Sequence, residues 1–349
     1  MSALIEMLVA RLKNKQPTSV IGSNTKGFLG GVLTDEPLSM REHSGIVNYE
    51  PTELVLTAKS GTTLSEINAL LAKSGQMLPF EPPMFGEDST LGGAMASGLS
   101  GPRRIHLGSA RDAILGLRLI NGLGQHLKFG GEVMKNVAGY DLSRLSVGAY
   151  GTLGILTEIS VKVLPLPEQE RTQMFTYSNA RALSEMIRIG RHPYPVSAIT
   201  WVNDMLYVRL SGTGQGVDAA AKALGGETLA DQRMFWNSIC HHMHPAFKQN
   251  EGWLWRLSLP QTTPIDSTPV EIIDWAGAQR WVHVAHSDYS LFEVAESLGG
   301  HATCFSGERV EGTGMQPLKP LIMQLSYRVK RALDPFDLIN RGRFLEEAS

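Results

Sequence analysis

Between Pro82 and Arg104 the chain reads PPMFGEDSTLGGAMASGLSGPRR, with glycine at 86, 92, 93, 98 and 101 and small Ala94, Ala96, Ser97 and Ser100 between them. No other stretch limits the possible folds as tightly. Glycine loses the most backbone entropy on ordering, so so dense a cluster is unfavourable unless something must approach the main chain closely. A phosphate makes that demand, because successive N–H groups without Cβ atoms in the way can turn inward and hold an anion. A flexible loop is the plainer alternative. Leu91, Met95 and Leu99 within the run speak for a packed loop and a short helical turn, and so for a phosphate-bearing cofactor.

The 349 residues suffice for two domains, or one large domain with an insertion. Lysine and arginine number 32 against 34 acidic residues, a balance that argues against a nucleic-acid binder with a broad basic face. No run approaches the roughly 18 apolar residues that span a bilayer. The opening MSALIEMLVARLKNK holds Glu6 inside its apolar part and lacks a small-residue cleavage site, so it reads as an amphipathic helix and not as a signal peptide. Cys240 and Cys304, far apart, encode neither a disulfide framework nor an iron–sulfur cluster. Cytoplasmic is the expected location.

In chain order, Leu4, Met7, Leu8, Arg11 and Leu12 give the first helix a face. PTSVIGSNTKGF is then a short strand entering a loop. Its Gly22 and Gly27 have P-loop spacing, but Phe28 and Leu29 stand where a nucleotide triphosphatase needs Lys and Ser or Thr, so that reading falls. Ser23, Asn24 and Thr25 leave a second phosphate-facing loop open. Residues 44–58 give two short strands, and a helix capped by Thr63 or Ser65 buries Ile67, Leu70 and Leu71 before Gly75 closes it. Asn121-Gly122 marks a β-hairpin, which disposes of Gly122 and Gly124 as a dinucleotide fingerprint. Gly148, Gly151 and Gly154 lead into the β run Ile155 to Val163, and Pro165 and Pro167 mark the likeliest domain boundary. Beyond it QMFTY, ARALSEMIRIGR, VSAITWVNDMLYVRLSG and GVDAAAKALGG spell βαββα, the start of a ferredoxin-like sandwich. GWLWRLSLP, RWVHVAH, a helix near 289–298 and HATCF look like a looser second copy. Gln316–Leu333 is a last amphipathic helix, followed by a turn-rich tail.

The order of a G-x-x-T loop, a P-x-x-x-x-x-S-T-L-G-G loop and a G-x-x-G-x-L-G-I strand entry resembles flavoproteins of the vanillyl-alcohol oxidase and p-cresol methylhydroxylase type. More narrowly, MKNVAGYDLSRL (134–145), DWAGAQRWV (274–282) and LDPFDLINRGR (333–343) resemble FAD-binding subunits of bacterial glycolate oxidases. The resemblance implies an α+β fold: a two-part FAD-binding domain over 1–167, a ferredoxin-like cap over 168–315, and a C-terminal helix and tail, 316–349, returning to the FAD domain. It implies that Gly22, Ser23, Asn24, Thr25 and Lys26, with Thr90, Leu91, Gly92 and Gly93, hold the pyrophosphate through their backbone. Ser97, Gly98, Gly101 and Arg104 would lie along the ribityl chain and flavin, Pro82 would be a further cofactor-binding residue, and Gly151, Gly154 and Ile155 would lie near the adenosine. It further implies oxidation of glycolate or a similar 2-hydroxy acid. A second flavin subunit and an iron–sulfur subunit would be partners, in the cytoplasm or held at the inner-membrane periphery through them.

Two departures from the wider family stand out. Covalently flavinylated relatives carry a linking His in the first loop, or a His or Cys elsewhere near the ring. Asn24, Thr25 and Lys26 occupy that loop here, so the expectation is non-covalent FAD. The H-x-G-D-G-N-x-H motif of the companion flavin subunits is missing, and His283 and His286, in an expected strand, point to opposite faces. In Cys240-His241-His242-Met243-His244 only His241 and His244 could share an ion. The reading there is a surface histidine patch, with no metal. Arg280 and Arg343 are candidates to hold a substrate carboxylate, and Tyr140 and Asp141 to handle a proton, with ion pairing the alternative for either arginine.

Overall fold

The structure is a computed structural model that describes residues 2–131, 141–248, 252–265, 270–285, 290–306 and 314–344. The chain divides into two compact units, Met1–Leu99 with Ser109–Pro165 and Leu318–Ser349, and Ser100–Gly108 with Leu166–Pro317.

The first unit begins with α1 (Ala3–Lys13), β1 (Val20–Ile21), β2 (Leu38–Ser39), β3 (Ile46–Glu50), β4 (Val55–Lys59), α2 (Leu64–Lys73), β5 (Gln76–Met77) and α3 (Leu91–Ser97). The Thr63 hydroxyl accepts from the Glu66 N–H at the start of α2, and Leu64, Ile67 and Leu71 fall inward at helical spacing. In α3, Thr90 caps through its hydroxyl, and Gly98 ends the helix with φ of 65°, the left-handed conformation that glycine adopts without strain. In α1 the buried stripe is Ile5, Leu8 and Leu12, whereas Met7 is exposed, so the face is rotated from the one the sequence suggests.

After the short α4 (Arg104–Leu107), which belongs to the second unit, come α5 (Ala110–Ala113), β6 (Ile114–Ile120), β7 (His126–Gly130), α6 (Leu142–Ser146), β8 (Ile155–Lys162) and β9 (Leu164–Pro165). The antiparallel sheet runs β3-β4-β8-β6-β7, with β6 and β7 forming the expected hairpin through a five-residue loop, 121–125, in which Gly124 takes φ of 69°. Leu56, Ile159 and Val161 of this sheet form one core with Ile67, Leu71, Phe80 and Met95. That core fixes α2 and α3 on the sheet by burial of apolar surface.

The second unit carries β10 (Gln169–Thr176), α7 (Asn179–Gly190), β11 (Val196–Val202), β12 (Met205–Gly212), α8 (Gly214–Leu224), β13 (Glu227–Thr228), α9 (Gln232–Cys240), β14 (Trp253–Ser258), β15 (Ile272–Asp274), β16 (Gln279–Val284), α10 (Ser290–Ser297) and β17 (His301–Ser306). Its antiparallel sheet is ordered β13-β10-β12-β11-β15-β16-β14-β17. The first four strands with α7 and α8 are a ferredoxin-like βαββαβ; the other four repeat that order in mirror sequence, with α10 but no helix described between β14 and β15. The two copies join edge to edge at β11 and β15. Asn203 and Asp204, with φ of 52° and 57°, make the tight turn expected between β11 and β12.

The last helix, α11 (Pro320–Leu333), leads back into the first unit's core, where Leu338 and Ile339 pack with Ile5, Leu8, Ile120 and Ile155. Lys330 fixes the end of α11. Its ammonium donates to the carbonyls of Thr152 and Ile339 and to Asp334, and Asp334 accepts from the Leu338 and Ile339 N–H groups. This buried pair is fully hydrogen-bonded, the condition under which burying two charges is tolerated.

Candidate functional site

The first unit holds a groove enclosing about 750 Å³ of non-protein space, part of it open to solvent. It is lined by the loop between β1 and β2, by α3, by Tyr150-Gly151 and by Asn340 and Arg343 of the tail.

The loop Gly22–Gly27 is built to present its backbone. A turn closes where the Gly27 N–H donates to the Asn24 carbonyl, with Asn24 itself at φ of 59°. The N–H groups of Ser23, Asn24, Thr25 and Lys26 meet no acceptor among the described residues. Arg343 explains which way the loop faces. Its guanidinium donates to the carbonyls of Lys26, Gly27 and Gly31, holding the carbonyl side and leaving consecutive amides uncommitted. Such a run of donors is an anion-binding concavity. Two buried hydroxyls lining the groove, Ser23 Oγ on this loop and Ser60 Oγ against Gly92 of α3, also meet no partner among the described residues. Buried polar atoms are rarely left so unless a ligand or water completes them.

The wall opposite is formed by small residues, Thr90, Gly92, Gly93, Ala96 and Ser97. The Leu91 and Gly92 amides donate to the carbonyls of Thr62 and Ser60, and the Gly93 amide to Thr90 Oγ1, so the start of α3 has spent its donors inside the protein. What it gives the groove is room. A Cβ on Gly93 would meet only Thr90 Oγ1, at 3.2 Å, and otherwise enter open space. A Cβ on Gly92 would strike Ser60, whose Cβ and carbonyl oxygen lie 2.8 Å away, so that glycine is required by packing.

Lys26 is 8% exposed, and its ammonium donates to Ser89 Oγ and lies 5.7 Å from the Phe85 ring centre. Burial lowers its pKa from 10.5 to about 8.

Of the residues expected at a cofactor, the groove gathers Gly22, Ser23, Asn24, Thr25, Lys26, Thr90, Gly92, Gly93, Ser97 and Gly151. Leu91 and Ile155 are instead core residues, and Pro82 is buried away from the lining. Gly98 lies against Gly148, and Gly154 against Leu119 of β6. Gly101 and Arg104 belong to the second unit, where the Trp275 indole donates to the Gly101 carbonyl and the Arg104 guanidinium lies 4.2 Å from the Trp275 ring centre. Ser60, Tyr150 and Asn340 line the groove without having been expected. Asn340 joins distant segments, accepting from the Val20 N–H and donating to the Tyr150 carbonyl. The local signals were the Gly61 after Ser60 and the repeated motif glycines around Tyr150.

The proposed catalytic residues are engaged in structural bonds. Arg343 orients the loop, and Arg280, fully buried, donates to the carbonyls of Thr263 and Pro264. Asp141 caps α6 by accepting from the Arg144 N–H and pairs with its guanidinium. Tyr140 lies outside the described residues, as do most of MKNVAGYDLSRL and His286. The histidine cluster is not a surface patch. Although the residue keeps some exposure, the His242 ring stacks on Phe247 at 4.2 Å and meets Trp281 and Phe305, and burial drives its pKa down to about 3. His244 accepts from the Ala246 N–H.

Comparison with known proteins agrees with this geometry. Residues 2–130 match the family model described as an FAD binding domain. The glycolate oxidase subunit GlcE of Escherichia coli is 46% identical over 99% of this chain and 97% of its own length. The chain belongs to the GlcE family of FAD-linked oxidoreductase subunits. The glycolate oxidase subunit GlcD of Bacillus subtilis is 34% identical over 50% of this chain and 37% of its own. The D-lactate dehydrogenase of Anaerostipes hadrus is 31% identical over 48% and 35%. A solved alkyldihydroxyacetonephosphate synthase shares the fold, with TM-score 0.67 at 16% identity over 96% of this chain and 73% of that one. FAD is the cofactor. The open amides of the 23–26 loop, the two unpartnered serine hydroxyls and the small-residue wall of α3, open at Gly93, fit its diphosphate and the chain on either side.

Proposed function

We propose that this chain holds FAD without a covalent bond in the first unit's groove. We further propose that it works as one flavin subunit of a complex oxidising glycolate, or a similar 2-hydroxy acid, to the 2-oxo acid. The observation that carries the reading is the loop Ser23–Lys26, with four consecutive unengaged amides beside the unpartnered hydroxyls of Ser23 and Ser60. No histidine or cysteine is among the residues lining the groove, which supports a dissociable cofactor. FAD, held by the Ser23–Lys26 loop, would supply the two-electron acceptor that oxidation of a 2-hydroxy acid to the 2-oxo acid requires. This chain's part is to orient the diphosphate through the loop that Arg343 holds, and to leave room for it at Gly93 on the α3 wall.

A second flavin subunit and an iron–sulfur subunit are the proposed partners, because two cysteines cannot ligate a cluster that would carry electrons onward. A second reading is a relay or assembly role, with substrate oxidised on another chain. It is favoured by the structural engagement of Asp141, Arg280 and Arg343, which leaves none of them presented as a base or carboxylate clamp. Glycolate-dependent dye reduction by the isolated chain, compared at equal flavin content with the reconstituted complex, separates the two. An isolated chain as fast per flavin as the complex has its own complete active site and ends the relay reading. A chain that holds FAD yet lags the complex by roughly the 10²–10⁴ that a positioned base contributes supports it.

A further inference from the structure

The Lys26 ammonium is buried beside few protein partners. An ammonium has three N–H donors and needs a counter-charge or water when buried. Here one donor reaches Ser89 Oγ, the Phe85 ring lies at the limit of cation–π range, and no carboxylate among the described residues forms an ion pair with it. The cations lining the groove are Lys26 and Arg343. Arg343 is bound to three loop carbonyls, whereas Lys26 sits on the loop whose amides are open.

We propose that Lys26 is the charge partner of the cofactor's diphosphate, making this chain selective for the flavin dinucleotide over flavins that lack a diphosphate. The inference rests on the FAD reading above and sharpens it. Amides alone recognise a phosphate by geometry; a buried cation beside them adds a charge-assisted bond that an uncharged flavin cannot match. The main competing role is mechanical, with Lys26 pinning the 22–27 loop to Ser89 and so to the start of α3.

Two substitutions separate these roles. Lys26→Met removes both the charge and the bond to Ser89. Lys26→Gln removes the charge but keeps a donor that can reach Ser89. Flavin-stripped wild type and both variants are titrated with FAD and with riboflavin by flavin fluorescence, with circular dichroism and Tm as the measure of folding. The charge role predicts that both variants fold and bind FAD about 10–100-fold more weakly, the range of one charge-assisted bond of about 1.5–3 kcal/mol. Riboflavin binding should change less than twofold. ADP should displace FAD from the wild type better than adenosine does, and that advantage should shrink in Lys26→Gln, where only the loop amides remain. Near-wild-type FAD affinity in Lys26→Gln overturns the proposal in favour of the pin, even if Lys26→Met does not fold. A wild-type chain that takes up no FAD contradicts the cofactor assignment itself, a result distinct from either.

Discussion

At the Lys26 ammonium, burial without a counter-charge lowers the pKa from 10.5 to about 8, and this gives two opposite pH effects. In the flavin-free chain the folded state releases the proton near pH 8, while the unfolded chain keeps it to the ordinary lysine value. Between those values the unfolded state binds more protons, so stability rises with pH. The expected gain, relative to Lys26→Met, is of order 2–3 kcal/mol between pH 7.5 and 10.5. Equilibrium urea unfolding of the stripped protein checks it. FAD binding goes the other way. A bound diphosphate favours the charged lysine, so affinity should fall as pH rises through about 8, and Lys26→Gln should flatten the curve. Arg343, which shares the groove, is engaged with carbonyls, and Asp88, next to Ser89 in sequence, is paired with Arg41. His242 has the acid counterpart: its folded pKa of about 3 lies below the free value of 6.5, so its contribution is complete above pH 6.5 and lost as pH falls toward 3. His242→Phe should keep the stack on Phe247 and shift the acid-unfolding midpoint downward. An unchanged midpoint would show that other groups govern acid unfolding.

At the scale of elements, α3 and the end of α11 offer separable tests. Gly93 and Gly92 are neighbours in sequence but differ in what surrounds them. Gly93→Val should leave the fold intact and reduce FAD retention, because the added carbons enter the groove. Gly92→Val should lower stability itself by forcing α3 off Ser60, and would therefore be uninformative about the cofactor. Full FAD occupancy in a folded Gly93→Val would place the diphosphate elsewhere. In the tail, Asp334→Ala would leave the Lys330 ammonium buried with only carbonyls and the half-exposed Asp337 nearby. A loss of about 3–5 kcal/mol is expected for breaking such a pair, read as a drop in denaturation midpoint. A change below about 1 kcal/mol would mean that Asp337 replaces it.

Over the whole molecule, what was legible in the sequence is what is local. The Thr63 cap, the β-hairpin at Asn121-Gly122 and the βαββα order after residue 168 each depend on residues a few positions apart, and each appears in the structure. The three-residue β15 was not legible, since so short a strand carries no alternation of its own. Nor was the environment of His242, whose aromatic neighbours Trp281 and Phe305 are distant in sequence. The groove divides the same way. Its first loop could be read from glycine spacing, but the Arg343 bonds that orient the loop and the Asn340 bridge from Val20 to Tyr150 link residues about 190 to 320 positions apart. The most direct test of the account is the flavin itself. The chain is expressed, purified and precipitated with acid, and flavin in supernatant and pellet is quantified and identified by chromatography. About one FAD per chain, all of it in the supernatant, is the predicted result. Flavin retained in the pellet would contradict the non-covalent site, and a colourless protein that takes up no added FAD would contradict the site altogether.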